Sequence, residues 1–316
     1  MKYPNDFVNK IICGDCLEVL KTLPDESIDM CMTSPPYWAL RDYGVKGQLG
    51  LEPTFQEYIT KLCDIFDEVK RVLKREGTCW VNMGDTYGGS GAGTTKNADT
   101  SKYIENSKQV YVLPNGTARA SKMPSKCLLQ IPNRFAIEMT NRGWILRNEI
   151  IWYKPNCMPS SVKDRFTVDF EKIFFFTKNK KYWFETQLED AIEIYSETRA
   201  KRPETSKMKA IYSSGKPSGN FTTNKLRPDN KRNKRTVWRI NTKPYKEAHF
   251  ATYPPELCET PIKAGCPKGG IVLDPFFGAG TTGLVAKGLG RNYLGIELNP
   301  EYIKIAEERL KQEILL

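Results

Sequence analysis

The chain predicts a doubly wound, mostly parallel α/β sheet with an antiparallel hairpin and a basic insertion, and three observations predict it. Near the start, Lys10-Ile11-Ile12-Cys13, the apolar pair Leu17 and Leu20, and Ile28-Asp29-Met30-Cys31-Met32-Thr33 follow one another as strand, helix and strand on short connections, which is a βαβ unit. Near the end, Ile271-Val272-Leu273-Asp274, a glycine-rich turn, an apolar helix from Leu284 to Leu289 and Tyr293-Leu294-Gly295-Ile296-Glu297 repeat that unit. Between them, Trp144 to Tyr153 and Glu171 to Thr177 are rich in β-branched and aromatic residues and read as paired strands around a Lys154-Pro155-Asn156 turn. Only nineteen residues follow Glu297, so the C-terminal unit must take its other strands from the N-terminal half.

The remaining elements follow in order. Thr54 with Glu57 offers a capping box, and Tyr58, Leu62, Ile65, Phe66, Val69 and Leu73 carry an amphipathic helix expected to run to Gly77. Thr78 to Met83 is the next strand. From Gly88 the chain turns polar and glycine-rich until about Ser125, and a loop over about 84–125 reads as a mobile lid at the Ser34 edge or as plain disorder. Pro132 to Asn141 is a helix with Phe135, Ile137 and Met139 as candidate core. Tyr253-Pro254-Pro255-Glu256-Leu257 starts a further helix, and Pro300 to Gln312 makes the last one.

Composition bounds the function. No apolar run among the 316 residues is long enough to span a bilayer, and Met1 to Asp6 carry no apolar signal core, so a cytoplasmic protein with no membrane partner is expected. Nine cysteines at irregular spacing fit a reducing compartment. Cys13-Gly14-Asp15-Cys16 has the spacing of half a zinc site, but no second pair matches it, so no metal is expected. The single histidine, His249, argues against histidine-dependent hydrolysis or acyl transfer.

The formal charge is +11, and it is concentrated. Between Arg199 and Lys246 fifteen Lys and Arg face only Glu204 and Asp229, so the rest of the chain is close to neutral. A basic module on a balanced body suits nucleic acid, with Lys231, Arg232, Lys234 and Arg235 as candidate DNA contacts. Its richness in Ser, Thr, Asn and Pro equally describes a solvated linker.

The chemistry is expected at Ser34-Pro35-Pro36-Tyr37-Trp38. Two prolines directly after a strand forbid both pairing and helix, so the chain must turn out of the sheet edge. The elbow presents a hydroxyl, proline carbonyls and a flat aromatic face. That set suits a planar base bearing an amino group, whose hydrogens Ser34 and Pro35 can accept while Tyr37 stacks on the ring. Trp152 or Tyr153, at the end of a strand, is placed to hold the base from its other side.

Gly278-x-Gly280-x-x-Gly283, with Glu297 ending the next strand, matches a dinucleotide fingerprint formally. Against a nicotinamide or flavin enzyme stands Asp274-Pro275-Phe276, an acid and a bulky ring immediately before the glycines, where a carboxylate answers a ligand carrying an ammonium group.

Ser34-Pro35-Pro36-Tyr37 followed far downstream by Asp274-Pro275-Phe276-x-Gly278-x-Gly280 resembles the S-adenosylmethionine-dependent DNA amino-methyltransferases, in the permuted order with the catalytic motif first. The resemblance covers residues 9–185 and 246–312. It implies a Rossmann-like methyltransferase domain whose catalytic half is 1–185 and whose cofactor half is 246–316, with 186–245 as target-recognition region. It implies that Asp274, Phe276, Gly278 and Gly280 hold the methionine end of S-adenosyl-L-methionine, that Thr281 and Thr282 cap the adjoining helix, and that Glu297 takes the ribose. It places Asp15 at the adenine, a position that an N-cap also explains, and Phe250, within His249 to Pro254, against the adenine or methionyl group. Trp38 joins Trp152 and Tyr153 as a candidate target-base contact. A serine before Pro-Pro-Tyr usually accompanies cytosine N4 methylation, and an acid or amide there adenine N6. Ring-carbon methylation uses a Pro-Cys nucleophile, and this chain has no such dipeptide. The partner implied is double-stranded DNA, with a companion restriction endonuclease possible. A non-catalytic nucleic-acid-binding protein would explain the basic module but not the paired motifs.

Overall fold

The computed structural model describes residues 3–40, 43–88, 124–190, 231–243 and 253–311. The expected lid lies almost wholly outside the described residues, as do Phe250 and most of the basic stretch. Two compact units divide the chain: 1–185 with 236–316, and 186–235.

The larger unit is built on one sheet of eight strands. Their spatial order is β1 (Lys10–Cys13), β10 (Asn292–Glu297), β9 (Ile271–Asp274), β2 (Ile28–Thr33), β3 (Leu73–Met83), β5 (Phe170–Thr177), β4 (Ile145–Tyr153) and β8 (Val237–Arg239). The first five are mutually parallel, β5 is antiparallel to both β3 and β4, and β8 is parallel to β4. Because β5 alone is reversed, its start at Phe170 shares an edge with the carboxyl ends of the others. Thr33, Met83, Tyr153, Asp274, Glu297 and Cys13 all come to that edge.

Alternation along the strands sorts two layers. Cys31, Cys79, Val81, Phe174 and Phe176 are buried with α1 (Cys16–Lys21), α2 (Phe55–Val72) and α3 (Ile131–Asn141). Met30, Met32, Trp80, Phe175 and Val272 are buried with α4 (Pro255–Gly265) and α5 (Thr281–Gly288). On that second face Trp80 stacks on Phe175 at 4.0 Å between centroids. The last helix, α6 (Pro300–Lys311), packs Ala306 and Leu310 with Phe277 and Leu284. Helices on both faces make the sheet doubly wound, as expected.

Three details differ from the sequence reading. Helix α2 stops at Val72, and Leu73 to Gly77 already belong to β3, which bulges where Ile28 pairs Leu73 but Met30 pairs Thr78. The bulge is tied down by Lys74, whose ammonium meets the Asp29 carboxylate at 2.7 Å. Ile137 is 61% exposed, because helical spacing from the buried Phe135 and Met139 puts it on the outer face. Residues 236–243 return to the larger unit, where β8 extends the sheet. In the smaller unit, β6 (Leu188–Asp190) and β7 (Lys231–Asn233) form an antiparallel pair with Arg232 ion-paired to Glu189 at 2.9 Å.

Candidate active site

The two motifs that are 240 residues apart in sequence meet because β2 and β9 are neighbours, with Cys31 opposite Leu273. The Asp274 carboxylate joins them. Its Oδ1 accepts the Thr33 hydroxyl at 2.5 Å and the Phe276 amide at 3.0 Å; its Oδ2 accepts Thr282 at 2.6 Å and Tyr253 at 3.2 Å. Burial pushes its pKa up, opposed by the hydrogen bonds from Thr282 and Thr33. Asp274 and Thr282 therefore sit behind the cavity wall, saturated by each other and by Thr33, and not on the surface a cofactor would touch. Their work is to fix the backbone on both sides of the switch point between β2 and β9, the crevice where ligands bind in open parallel sheets.

Around the elbow the polar groups are equally committed. Tyr58 donates to the Pro36 carbonyl at 2.8 Å. The Tyr37 hydroxyl donates to Glu171 at 2.7 Å, and Glu171 is ion-paired with Lys154. Burial, then the Glu171 charge, pushes the Tyr37 phenol well above its ordinary pKa. A Cβ at Gly84 would stand 2.5 Å from Tyr37 Cε2, so that glycine admits the ring. The Ser34 hydroxyl donates to Asn82 Oδ1 at 3.3 Å, while Asn82 Nδ2 donates to the Lys172 carbonyl at 3.3 Å.

The glycine turn serves packing more than the fingerprint suggested. A Cβ at Gly283 or Gly295 would lie 2.5 or 2.4 Å from the Phe277 ring, and one at Gly280 would lie 2.9 Å from Ala306. Gly280 is the N-cap of α5 at φ +78° without a side-chain cap, so neither Thr281 nor Thr282 caps the helix. Thr281 instead accepts from Arg309 at 3.1 Å and lines the cavity. Gly278, at φ +50°, lines it too, and donates its amide to Glu297 Oε2 at 2.7 Å; Asn299 donates to Oε1 at 2.8 Å. Burial raises the Glu297 pKa against these two bonds. Asp15 caps α1 through the Glu18 amide and also lines the cavity, so its capping role does not remove it from the cavity wall.

These walls enclose a cavity of 660 Å³, large enough for a nucleoside cofactor with part of a second ligand. Ser34, Pro35, Pro36, Tyr37 and Phe276 line it, and so do Asn82, Glu171 and Lys154, which sequence reasoning missed. Trp152 lines it as well, its indole donating to the Ile240 carbonyl at 2.8 Å and its ring lying 4.3 Å from the Lys154 ammonium. Tyr153 points away, as alternation from the buried Trp152 requires. Trp38 is core: its indole donates to the Glu52 carbonyl at 3.0 Å and its ring meets Phe55 edge-on. It is not a base contact. Asn82 and Glu171 carried no motif; only strand pairing brings them beside Ser34.

The donor set fits S-adenosylmethionine. Two carboxylates, Asp15 and Glu297, stand at the ends of adjacent strands for hydroxyl or ammonium groups, next to the Phe276 ring and a glycine backbone open to close approach. Fold and site together define a nucleotide-cofactor enzyme of the methyltransferase class. The sequence profile described as DNA methylase, covering the N6 and N4 enzymes, matches residues 28–308. The type II methyltransferase M.Cfr9I of Citrobacter freundii is 43% identical over 300 residues, spanning 95% of this chain and 87% of its own. M.SmaI of Serratia marcescens is 40% identical over 301 residues, spanning 95% and 90%. The chain belongs to this DNA methylase family, the S-adenosylmethionine-dependent DNA amino-methyltransferases, in its type II restriction-modification branch. Among solved structures, the PvuII DNA methyltransferase, described as cytosine-N4-specific, superposes with a TM-score of 0.61 at 20% identity over 97% of this chain and 88% of that one. A putative DNA modification methylase from Thermus thermophilus, complexed with S-adenosyl-L-methionine, gives 0.58 at 23% identity over 96% and 93%. At these identities the likeness is one of fold.

Proposed function

We propose that this enzyme methylates the exocyclic N4 amine of cytosine in a short duplex motif, after the base has left the stack. The observation that carries the reading is the Ser34–Asn82 pair at the cavity wall. The Lys172 carbonyl orients the Asn82 amide, so its oxygen faces Ser34 and takes the hydroxyl proton. The Ser34 lone pairs are thereby left to accept an amino hydrogen. Tyr58 occupies the Pro36 carbonyl, so Pro35 supplies the second acceptor. Two acceptors on one amine favour a tetrahedral nitrogen and spread the positive charge that develops on it. S-adenosylmethionine, when bound, supplies an electrophilic methyl group, so alignment of the amine matters more than a strong base. Phe276, Gly278, Thr281, Glu297 and Asp15 are the residues assigned to hold it. A short neutral serine in place of an acid or amide suits an amine on a single pyrimidine ring. Residues 186–245, which carry much of the chain's excess positive charge, are assigned to target recognition.

Nucleoside analysis by mass spectrometry tests this on DNA from cells expressing the chain. N4-methylcytosine is expected, reduced on the order of a hundredfold in rate for Ser34→Ala, as loss of one transition-state hydrogen bond requires. N6-methyladenine alone would overturn the base assignment and keep the chemistry.

A further inference from the structure

The loop after β4 carries apolar side chains where a soluble surface has no use for them. Four of the eleven exposed large apolar residues among those described, Met158, Val162, Phe166 and Val168, fall on this one loop, and Tyr153 and Phe170 flank it on β4 and β5. Phe166 is 97% exposed and Met158 88%. Scattered singly such residues are ordinary; gathered on one loop they mark an interaction surface. The loop adjoins the active site, because Cys157, Met158 and Val168 line the cavity. It is also held in place. Asp164 is ion-paired to Lys126 at 2.6 Å, and the Arg165 guanidinium lies 3.9 Å from the centre of the Tyr87 ring. The two residues immediately before Phe166 are thus pinned while its own ring stands in solvent.

An enzyme that takes a base out of a duplex leaves a gap in the stack, and an apolar side chain inserted there offsets the lost stacking. We propose that Phe166 is this wedge: the loop enters the duplex beside the target base, and the Phe166 ring occupies the vacated place while the base sits in the cavity behind Met158 and Val168. Lys163 and Arg165 give the loop the charge that suits flanking phosphates. The inference rests on the chain's acting on a base in duplex DNA, and not on which base that is.

The test compares single-turnover methyl transfer to two duplexes carrying the modified site found by sequencing DNA from expressing cells. In one the target base is paired; in the other it faces an abasic position, which lowers the work of extrusion. Phe166→Ala is expected to slow transfer by about tenfold or more on the paired duplex and to stay within about threefold of wild type on the abasic one. Phe166→Leu should fall between, and Ile137→Ala, an equally apolar exposed change on the outer face of α3, should match wild type on both. Cofactor affinity by calorimetry should not change. Equal rates for Phe166→Ala and wild type on the paired duplex, or equal slowing on both duplexes, would overturn the wedge. So would a selective loss in Met158→Ala that Phe166→Ala lacks. Absence of transfer by the wild-type protein to either duplex would overturn the DNA reading beneath it.

Discussion

Asn82 shows how a neutral side chain sets the direction of a proton. The Lys172 carbonyl takes a hydrogen of its amide nitrogen, which leaves the oxygen facing Ser34, so toward Asn82 the Ser34 hydroxyl donates. Ser34 itself was legible, because two prolines after a buried strand force an exposed elbow. Asn82 was not, since an asparagine between Val81 and Met83 has no signature until pairing of Thr33 with Val81 puts it next door. Glu297 was legible from its place after the glycine turn, but its shifted ionisation follows from burial. The sign of the effect on cofactor binding can be worked out. With the role proposed for Glu297, accepting ribose hydroxyls as the ionised carboxylate, and with its pKa raised, affinity should fall with falling pH at a point above the usual glutamate value of about 4.3. For the stability of the free protein the sign reverses: a raised carboxyl pKa contributes stability below the unfolded value that is lost as pH rises through the folded one. Calorimetric titration with S-adenosylmethionine from pH 5 to 8 checks the first effect. Glu297→Ala should weaken binding by roughly 1.5–3 kcal/mol and abolish the pH dependence. An unchanged affinity would remove Glu297 from the cofactor site.

At the scale of the element, the glycine turn between β9 and β10 is a socket for one ring. Phe277 is buried, stacks on Tyr293 at 5.9 Å, and stands where a Cβ on either Gly283 or Gly295 would have to be. Gly295 makes the case cleanly, since it lies in β10 away from any turn and has no positive φ. Gly295→Ala should therefore destabilise the fold by about 1–3 kcal/mol through overpacking, seen as a lower thermal midpoint. Phe277→Leu should recover part of the loss in the double variant. If Gly295→Ala is neutral, or if Phe277→Leu simply adds to it, the socket is wrong. The same element explains why the dinucleotide fingerprint is matched only formally: spacing records where Cβ atoms are forbidden, not whether a ligand or a phenyl ring forbids them. Element ends were misread for a similar reason. Lys74, Arg75 and Glu76 are good helix formers, and only the Asp29 contact and the bulge in β3 opposite β2 show that the chain has already become strand.

The whole molecule solves a problem of order. Its catalytic motif comes first and its cofactor motif last, and the sheet closes the distance by placing β9 and β10 between β1 and β2. That arrangement was readable from the order of the two motifs, Ser34-Pro35-Pro36-Tyr37 before Asp274-Pro275-Phe276. Strand β8 was not, because three residues that join an edge by pairing with β4 have no periodicity to read. The basic stretch was readable as charge, yet charge counted along a sequence overstates what is available to a polyanion. Arg232 already holds Glu189 at 2.9 Å, and Arg235 approaches the same carboxylate at 4.0 Å. Neutralising Lys231, Arg232, Lys234 and Arg235 together would, with four phosphate contacts, make the slope of log affinity against log salt less negative by about 3.6. Because Arg232 is engaged with Glu189, the expected change is smaller, roughly 2–3, with affinity at low salt falling most. Fluorescence anisotropy with a labelled duplex across 50 to 200 mM salt, a fourfold range over which a slope change of 2–3 amounts to roughly 16- to 64-fold in affinity, measures it. A salt slope that stays fixed while preference among sequences shifts would mean that these side chains read base edges and that the phosphates are held elsewhere.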